Sequence, residues 1–377
     1  MKGKQGLVCM GLLLVLSSCH TGKQITASGL QRKDFQTEVN GQHTDLFTLS
    51  NKQGMEVCIT NYGARVVSIL VPDRNGKRED VVCGFSTITE YMEQRQNFGS
   101  TVGRYIGRIL NARFTLDGVE YKLVPNNGKS GHISHGGNPG FADRIWKVEQ
   151  ADTHRVRLSY LSPDGENGFP GNLKVTLVYS LGEDDNALDL TYEATTDAPT
   201  VLNLSHHSFF NISGNFTKSV EDQQLWVDAD RFTPYDDKKC VTGEYLPVAG
   251  TPLDFRMPHT IGECIDADHP QLKVVNGYDH TWELNTKGDD TRPAAWVYDP
   301  ASGRKMEIFT TEPGMQIYTG NGLKGKMKGK GGIAYPFRSA VCFETMHFQD
   351  SPNQPGFPST VLRPGEVFRS HTVYKFE

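Results

Sequence analysis

Three features are missing from this sequence: an excess of positive charge, paired-cysteine motifs and long helical patterns. The formal net charge is −5; without Lys2 and Lys4 of the N-terminal segment, 37 basic residues face 44 acidic ones, which argues against nucleic acid as a partner. The seven cysteines show no C-x-x-C spacing, so neither a zinc site nor a disulfide framework is supported. With 37% hydrophobic and 22% charged residues, the chain can form a core and is not disordered.

The N-terminus has the pattern of a targeting segment, which is set aside in fold reasoning. Lys2 and Lys4 precede the apolar run Leu7–Leu16, which is too short to cross a bilayer. The run ends in L-S-S-C, which resembles the bacterial signal whose cysteine, here Cys19, is acylated and becomes the new N-terminus. We therefore expect a lipoprotein signal peptide at 1–18 and a lipid anchor in a bacterial cell envelope. The alternative is an ordinary secretory signal in which the cysteine occurs by chance.

The rest of the chain predicts a flexible tether at 19–33 and a single domain at 34–377. The first stretch is polar with Gly and Ser, as tethers are, and no internal repeat or linker follows it. Strand patterns are frequent, and 39 glycines and 19 prolines suit many short strands joined by turns. The domain is therefore predicted to be all-β, a sandwich or a barrel. The predicted strands are 55–60, 66–71, 113–116, 121–124, 156–160, 174–179, 188–192, 201–212, 296–298, 306–309, 315–318 and 341–344, with a short helix at 87–94.

The segment Val201–Ile212, V-L-N-L-S-H-H-S-F-F-N-I, alternates as a β-strand does. One face carries two leucines and His206, and the other carries a polar row that ends in His207. A sheet has little reason to carry such a row unless something polar lies over it, and the Phe-Phe pair adds a flat apolar wall. This combination suits a sugar, which has polar edges and apolar faces. The alternative is a half-buried strand whose histidine is satisfied by a neighbour.

Glu344 is a second candidate, because it ends the otherwise apolar strand Val341–Glu344. Alternation puts Cys342 and Glu344 on one face of this strand and the two other side chains on the opposite face. A carboxylate on an apolar strand is costly unless it is paired or functional. The alternative is a charge on an edge strand that faces water.

Further candidates stand in glycine-rich segments. Arg104 and Arg108 both lie in an apolar context, so at least one of them is expected to point at a carboxylate or a ligand. His132 and His135 have H-x-x-H spacing, but no helix is predicted there and no third ligand is adjacent, so we expect no metal site. Asp279 is a loop carboxylate beside an aromatic residue, a common arrangement in a simple turn.

Eight ordered motifs make the sequence similar to the aldose 1-epimerase (galactose mutarotase) family, from about Phe35 to the C-terminus. They are V-P-D-R-N-G-K (71–77), G-R-Y-I-G-R-I (103–109), S-H-G-G (134–137), S-P-D-G-E-N-G-F-P-G-N-L (162–173), N-L-S-H-H-S-F-F-N (203–211), G-Y-D-H (277–280), Q-I-Y-T-G-N (316–321) and F-E-T-M-H-F-Q-D-S-P-N (343–353). The resemblance implies a large antiparallel β-sandwich with its active site on the concave side. It implies His207 as general acid and Glu344 as general base. The substrate-binding residues that we expect are Arg108, His135, Ser208, Phe209, Asp279 and Gln316.

Two positions depart from the family pattern, which usually has asparagine where Gly107 and His206 stand. Gly107 offers no hydrogen-bonding side chain and is expected to leave room beside Arg108 for a bulkier substituent or a water. His206 alternates to the face opposite His207 and is expected to support the strand. These departures bear on sugar specificity and not on the reaction.

The implied reaction is interconversion of the α and β anomers of a free aldohexose. It requires one group to take the proton of the C1 hydroxyl while another protonates the ring oxygen, so an acid and a base must converge on one carbon. By their ordinary pKa values, a carboxylate is charged at neutral pH and an imidazole can keep a proton. No cofactor and no metal is expected. The only expected partner is a free monosaccharide, and contact with a membrane is expected only through the lipid anchor. Two alternatives remain: a hexose-phosphate epimerase, and a carbohydrate-binding protein without catalysis.

Overall fold

The computed structural model describes residues 24–377, which form two α-helices, seven 3₁₀ helices and 29 strands. The α-helices are α1 (Ile88–Gln94) and α2 (Pro270–Val275). The 3₁₀ helices span Arg32–Phe35, Leu110–Ala112, Gly128–Ser130, Phe141–Asp143, Glu166–Gly168, Lys330–Gly332 and Ser351–Asn353. The first strands are β1 (Glu38–Val39), β2 (Gln42–His43), β3 (Leu46–Ser50), β4 (Glu56–Thr60), β5 (Arg65–Pro72), β6 (Arg78–Asp80), β7 (Ser100–Val102), β8 (Arg108–Ile109), β9 (Arg113–Leu116) and β10 (Val119–Lys122). The middle strands are β11 (Ile133–Ser134), β12 (Lys147–Ala151), β13 (Arg155–Ser162), β14 (Leu173–Leu181), β15 (Ala187–Thr196), β16 (Thr200–Val201), β17 (Ser205–His207), β18 (Phe209–Phe210), β19 (Gln224–Val227) and β20 (Arg231–Thr233). The last strands are β21 (Leu246–Pro247), β22 (His259–Thr260), β23 (Asp279–Glu283), β24 (Ala295–Tyr298), β25 (Lys305–Thr310), β26 (Gly314–Tyr318), β27 (Val341–Met346), β28 (Val361–Leu362) and β29 (Phe368–Phe376).

Three antiparallel sheets build a sandwich, as the sequence predicts. The largest has nine strands in the order β12-β13-β14-β15-β29-β25-β24-β19-β22. A six-stranded sheet, β18-β27-β26-β23-β20-β21, and a four-stranded sheet, β3-β4-β5-β6, complete it. One core cluster contains inward side chains from all three sheets, for example Leu177, Phe343 and Val57. Burial of alternate apolar side chains on both layers therefore holds the sandwich together.

Predictions from short sequence motifs were confirmed for one turn and one helix start. Asp117 and Gly118 have φ of 52° and 79°, the left-handed values that a two-residue hairpin loop requires, and they join β9 to β10 as predicted. Thr87 caps α1 by accepting from the backbone N–H of Glu90, whose carboxylate accepts in return from the N–H of Thr87. This capping box explains why so short a helix begins where it does.

The predicted strand at 201–212 is broken into three pieces. β16 pairs with β28, β17 pairs with β7, and β18 pairs with β27. Leu202 and Leu204 still enter the core, so the alternation holds although the pairing changes. Since three partners from distant parts of the chain take successive segments, a single continuous strand cannot form.

The N-terminal boundary differs from the predicted tether in the part that the structure describes. Within 24–33, Ile25 pairs with Gln31, Leu30 is buried, and the N–H of Ala27 donates to Oε1 of Glu56 at 2.6 Å. These residues are packed on the domain, which therefore begins before residue 34. The predicted signal at 1–18 and the rest of the tether, with Cys19, lie outside the described residues. No helix within 24–377 is long and apolar enough to span a membrane.

Candidate active site

A polar pocket of about 270 Å³ opens beside the six-stranded sheet. Strands β23, β26 and β27 supply one wall, and the β8 and β11 segments supply another. Its lining residues are Gln96, Asn97, Gly107, Arg108, Ser134, His135, His207, Phe209, Asp279, Gln316, Tyr318, Glu344, Met346 and Gln349. All but one of the predicted catalytic and substrate-binding side chains thus come together; the exception is Ser208.

His207 and Glu344 face each other at the bottom of this pocket. Nε2 of His207 lies 3.2 Å from Oε1 of Glu344, and both side chains are more than nine-tenths buried. The β18–β27 register explains the pairing: Phe209 is opposite Cys342, so two residues outward along both strands His207 falls opposite Glu344. Sγ of Cys342 lies 3.6 Å from the other ring nitrogen, Nδ1 of His207.

The pocket shifts both pKa values towards the neutral forms. Burial raises the pKa of Glu344 well above its usual range, and the nearby Asp279 adds to the rise. Burial lowers the pKa of His207 well below its usual range, and the neighbouring His135 adds to the fall. The ordinary pKa values had predicted a permanently charged carboxylate, whereas the buried pair disfavours an isolated charge on either partner.

Asp279, Gln316 and Arg108 form the polar side of the pocket. Gln316 lies opposite Glu344 on the neighbouring strand, and its Nε2 donates to Oδ1 of Asp279 at 2.7 Å. Burial raises the pKa of Asp279, and the positive charge of Arg108 opposes the rise. Carboxylate, amide and guanidinium groups therefore present acceptors and donors to the same small space, as recognition of several hydroxyl groups requires.

Two rings flank His207. Phe209 stacks on it with centroids 5.0 Å apart and an interplanar angle of 17°, whereas His135 meets it edge-on at 5.5 Å. Burial lowers the pKa of His135 to about 4, and Arg108 adds to the fall. His135 therefore stays neutral at physiological pH, and its Nδ1 accepts from the N–H of Gly107 at 3.4 Å.

Ser208 was wrongly assigned to the substrate. Its hydroxyl lies 2.6 Å from Nε2 of His206, on the face of the strand that points away from the pocket. His206 reaches the hydroxyl of Tyr179 with its other ring nitrogen at 3.3 Å, deep in the sandwich. Both side chains alternate away from His207 and support the strand from behind, as expected for His206.

Arg104 turns out to be structural, while Arg108 points into the pocket. The Arg104 guanidinium donates to the carbonyl oxygens of Pro170 and Gly171 at 2.7 and 3.0 Å and to the hydroxyl of Ser162 at 2.6 Å. Burial lowers its pKa to about 10. It therefore ties its own segment to the end of β13 and to the connection between β13 and β14, and it does not line the pocket.

Sequence reasoning missed six lining residues besides Gly107: Gln96, Asn97, Ser134, Tyr318, Met346 and Gln349. Tyr318 and Met346 stand two positions beyond Gln316 and Glu344 on the same strands, so alternation from the known site residues could have found them. Gln349 corrects another expectation, because its side chain fills the room predicted beside Arg108.

One group within 24–377 has the spacing of a metal-ligand set. The ligand atoms of His207, Cys342 and Glu344 lie within 4.8 Å of one another. Burial raises the pKa of the Cys342 thiol well above its usual range, so the thiolate that a metal needs is disfavoured. The arrangement is better suited to proton transfer than to metal binding.

Comparison with known proteins agrees with this geometry. The aldose 1-epimerase family model matches residues 45–375. Galactose mutarotase from Sus scrofa is 39% identical over 330 residues, covering 88% of this chain and 93% of that protein. Aldose 1-epimerase from Escherichia coli K12 is 36% identical over 339 residues, covering 89% and 96%. The crystal structure of an aldose epimerase homologue from C. elegans superimposes with a TM-score of 0.81 at 31% identity, covering 89% of this chain and 99% of that one. The chain belongs to the aldose 1-epimerase family.

Proposed function

We propose that this protein interconverts the α and β anomers of free aldohexoses, of the glucose or galactose type, with His207 and Glu344 as its acid and base. The observation that carries the proposal is the 3.2 Å contact between the imidazole and the carboxyl group at the bottom of a pocket sized for a single sugar ring. The proton acceptor and the proton donor must both reach oxygens bound to C1, and this pair is close enough to do so.

Ring opening uses one proton at each oxygen. Glu344 takes the proton from the C1 hydroxyl, the C1–O5 bond breaks, and His207 gives a proton to O5, which leaves an open-chain aldehyde. Rotation about C1–C2 presents the other face of the aldehyde. On closure, the O5 proton returns to His207 while Glu344 returns its proton to the carbonyl oxygen. No proton, electron or atom is gained or lost, and the pair is restored.

The buried environment supports these roles. The pair favours its neutral form, so one proton first moves across the 3.2 Å contact from Glu344 to His207. The carboxylate formed in this way is a stronger base than an ordinary one because its pKa is raised, and the imidazolium is a stronger acid because its pKa is lowered. Arg108, Asp279 and Gln316 would bind the hydroxyl groups of the sugar, and Phe209 would hold the imidazole in place by stacking.

The pocket does not favour a hexose phosphate. Arg108 is the one Lys or Arg among the 14 residues that line it, and two carboxyl groups, on Asp279 and Glu344, face the same space. A phosphate carries about two negative charges at pH 7 and would need several cations there. A binding protein without catalysis would need neither the acid nor the base.

His207→Asn and Glu344→Gln test the catalytic roles. Each should lower the rate of mutarotation of fresh α-D-glucose, followed by polarimetry, by about 10²-fold or more while leaving the fold intact. His154→Asn and Glu193→Gln, the same changes at surface positions, serve as controls. More than about a tenth of the wild-type rate in either folded site variant would refute that residue's role.

We also propose that the protein is a lipoprotein, with a signal peptide at 1–18 and acyl chains on Cys19 that hold it in a bacterial cell envelope. The L-S-S-C ending of the apolar run supports this. Cys19→Ala should abolish labelling by radioactive palmitate and release the protein from membranes. Stable anchoring takes at least two acyl chains. Undiminished labelling of the variant would contradict the proposal.

A further inference from the structure

A lysine-rich hairpin at 324–337, called the basic hairpin below, lies in the connection between β26 and β27. The N–H of Gly325 donates to the carbonyl oxygen of Tyr335 at 2.8 Å, and Lys328 pairs with Ala334 as an antiparallel bridge. The side chain of Tyr335 is buried. The basic hairpin is therefore held on the domain by its own pairing and by a buried aromatic ring.

The basic hairpin carries positive charge that no carboxylate balances. Its exposed lysines, none of which forms an ion pair with a residue in 24–377, are Lys324, Lys326 and Lys328. Nearby carboxylates are already engaged: Asp80 pairs with Lys330 at 2.5 Å. Arg338, directly after the hairpin, pairs with Glu221 and Asp266 at 2.8 and 2.7 Å. Because salt screens exposed charges beyond about 8 Å, this local charge and not the net charge of −5 decides what the hairpin attracts.

Two large apolar side chains of the basic hairpin are also exposed. Ile333 is 40% exposed and Phe337 is 44% exposed. Lysines beside exposed aliphatic and aromatic groups match the surface of an anionic bilayer, where phosphates attract the cations and the interface takes up the apolar groups. A soluble polyanion would use the lysines and leave the apolar side chains in water.

The N-terminal segment covers the same face of the four-stranded sheet as the basic hairpin. Val57 of β4 points into the sandwich core, whereas the next residue, Cys58, belongs to a second cluster on the outer face. Leu30 of the N-terminal segment is part of this second cluster. Tyr335 of the hairpin belongs to it as well, and Met327 packs against it. The chain therefore enters the domain on the side that carries the basic hairpin.

The proposed lipid anchor is only a few residues from this face. The carbonyl oxygen of Gln24 accepts from the N–H of Arg32 at 2.9 Å, which fixes this point of the chain on the domain. Five peptide units separate Cys19 from Gln24 and span at most about 18 Å. An acylated Cys19 would therefore keep this face within about 20 Å of the bilayer, where the basic hairpin can reach it.

We propose that the basic hairpin binds the anionic phospholipid surface of the membrane in which Cys19 is anchored. Its three exposed lysines meet headgroup phosphates, and its two exposed apolar side chains enter the interface. The position of the bilayer rests on the proposed lipoprotein, whereas affinity for lipid belongs to the hairpin itself. Acyl chains hold the domain at one point, and the hairpin adds a second point of contact that sets its orientation.

The test uses a chain that begins at residue 19, with Cys19→Gly and one myristoyl chain on the new N-terminus. One such chain gives only marginal, reversible binding, so further contacts become measurable. Sedimentation with vesicles of phosphatidylcholine, or of phosphatidylcholine and phosphatidylglycerol in equal parts, gives the partition coefficient. A lysine near an anionic surface contributes about fivefold. Combined Lys324→Gln, Lys326→Gln and Lys328→Gln should therefore lower binding to the anionic vesicles by about 10- to 100-fold and leave binding to phosphatidylcholine unchanged.

The matched control replaces three exposed lysines outside the hairpin that also form no ion pair with a residue in 24–377: Lys122→Gln, Lys129→Gln and Lys174→Gln. It removes the same charge and should leave binding to both kinds of vesicle within about twofold. None of the six lysines lines the active-site pocket, so glucose mutarotation should stay at the parent rate in both variants.

Equal binding of the parent chain to the two kinds of vesicle would overturn the inference, and so would equal losses in the two triple variants. Ile333→Ser combined with Phe337→Ser should weaken binding to both kinds of vesicle. Unchanged binding there would overturn the bilayer as partner in favour of a soluble polyanion. Failure of palmitate labelling at Cys19 would overturn the lipoprotein proposal, but it would not alter these vesicle measurements, so the two failures are distinguishable.

Discussion

Replacing Gly107 by asparagine tests how closely the pocket wall is packed. Gly107 has a φ of 75°, and a Cβ built there lies 2.6 Å from Cγ of Gln349, closer than real Cβ atoms approach another atom. Asparagine enters the left-handed region more readily than other L-residues, so the backbone tolerates it. The substitution is therefore expected to act by displacing the Gln349 side chain.

The size of the effect follows from the hydrogen bonds that the Gln349 side chain makes. Its Nε2 donates to the Tyr235 hydroxyl at 2.7 Å and to Oε1 of Gln316 at 3.3 Å, and its Oε1 accepts from the N–H of Arg108 at 3.3 Å. A hydrogen bond of this kind is worth about 0.5–1.5 kcal/mol, or roughly two- to twelvefold in rate. Since Gln316 and Arg108 line the pocket, kcat/KM should fall by that factor for each bond lost.

The assay is polarimetry of glucose and galactose, which differ at one hydroxyl group, and the ratio of their kcat/KM values should shift. Gln349→Ala alone, and combined with Gly107→Asn, completes a double-mutant cycle. With the glutamine truncated, asparagine has room, and Gly107→Asn should then change the ratio by less than about twofold. An unchanged ratio in the folded single variant, or an undiminished effect in the double variant, would refute the reasoning.

Three further predictions follow from buried polar groups. Burial raises the pKa of Glu344 and lowers that of His207, so the two side chains together hold one proton over a wide pH range: the pair loses this proton only at higher pH and gains a second one only at lower pH. The value of kcat/KM should therefore stay constant as the pH rises through about 6.5, the ordinary pKa of histidine. A fall in kcat/KM centred at that pH would contradict a pair that shares one proton. Arg104→Met leaves four backbone carbonyl groups without their guanidinium partner and should lower the free energy of unfolding by about 3 kcal/mol or more, measured by urea unfolding, with Arg104→Lys recovering part. His206→Asn should lower the urea midpoint while leaving the glucose-to-galactose ratio within about twofold, because its two contacts lie behind the strand; a large change in that ratio would place His206 in sugar recognition instead.

Period-two alternation predicted the main strands, because each strand has one face in the core. β14 is one example: Lys174–Tyr179 was expected and Leu173–Leu181 is observed, since pairing with β13 and β15 extends one or two residues beyond the pattern. The break in 201–212 could not be foreseen in this way. The break depends on which distant strand pairs with each short segment, and no local sequence pattern indicates that pairing.

For the candidate site, the sequence predicted on which face of its strand each residue lies. Alternation separated His207 from His206, and it also excludes Ser208, which was wrongly included because it is adjacent in sequence to two site residues. Gln96 and Asn97 follow α1 without any polar pattern of their own. Only the fold of the connecting segment brings them to the pocket.

The short strand β18 also sets the register of the catalytic pair. β18 pairs with β27 over two residues only, but this register sets His207 opposite Glu344, and the β27–β26 register sets Glu344 opposite Gln316. Three functional side chains therefore stand side by side on the same face of adjacent strands, about 4.5–5.5 Å apart at their Cα atoms. A shift of the β18 pairing by one residue would turn His207 away from the carboxyl group and bring His206 or Ser208 in its place. The short strand is thus under a stricter geometrical requirement than the long strands of the nine-stranded sheet. Packing of Phe210 against Phe343 of β27 and Tyr374 of β29 supports this register.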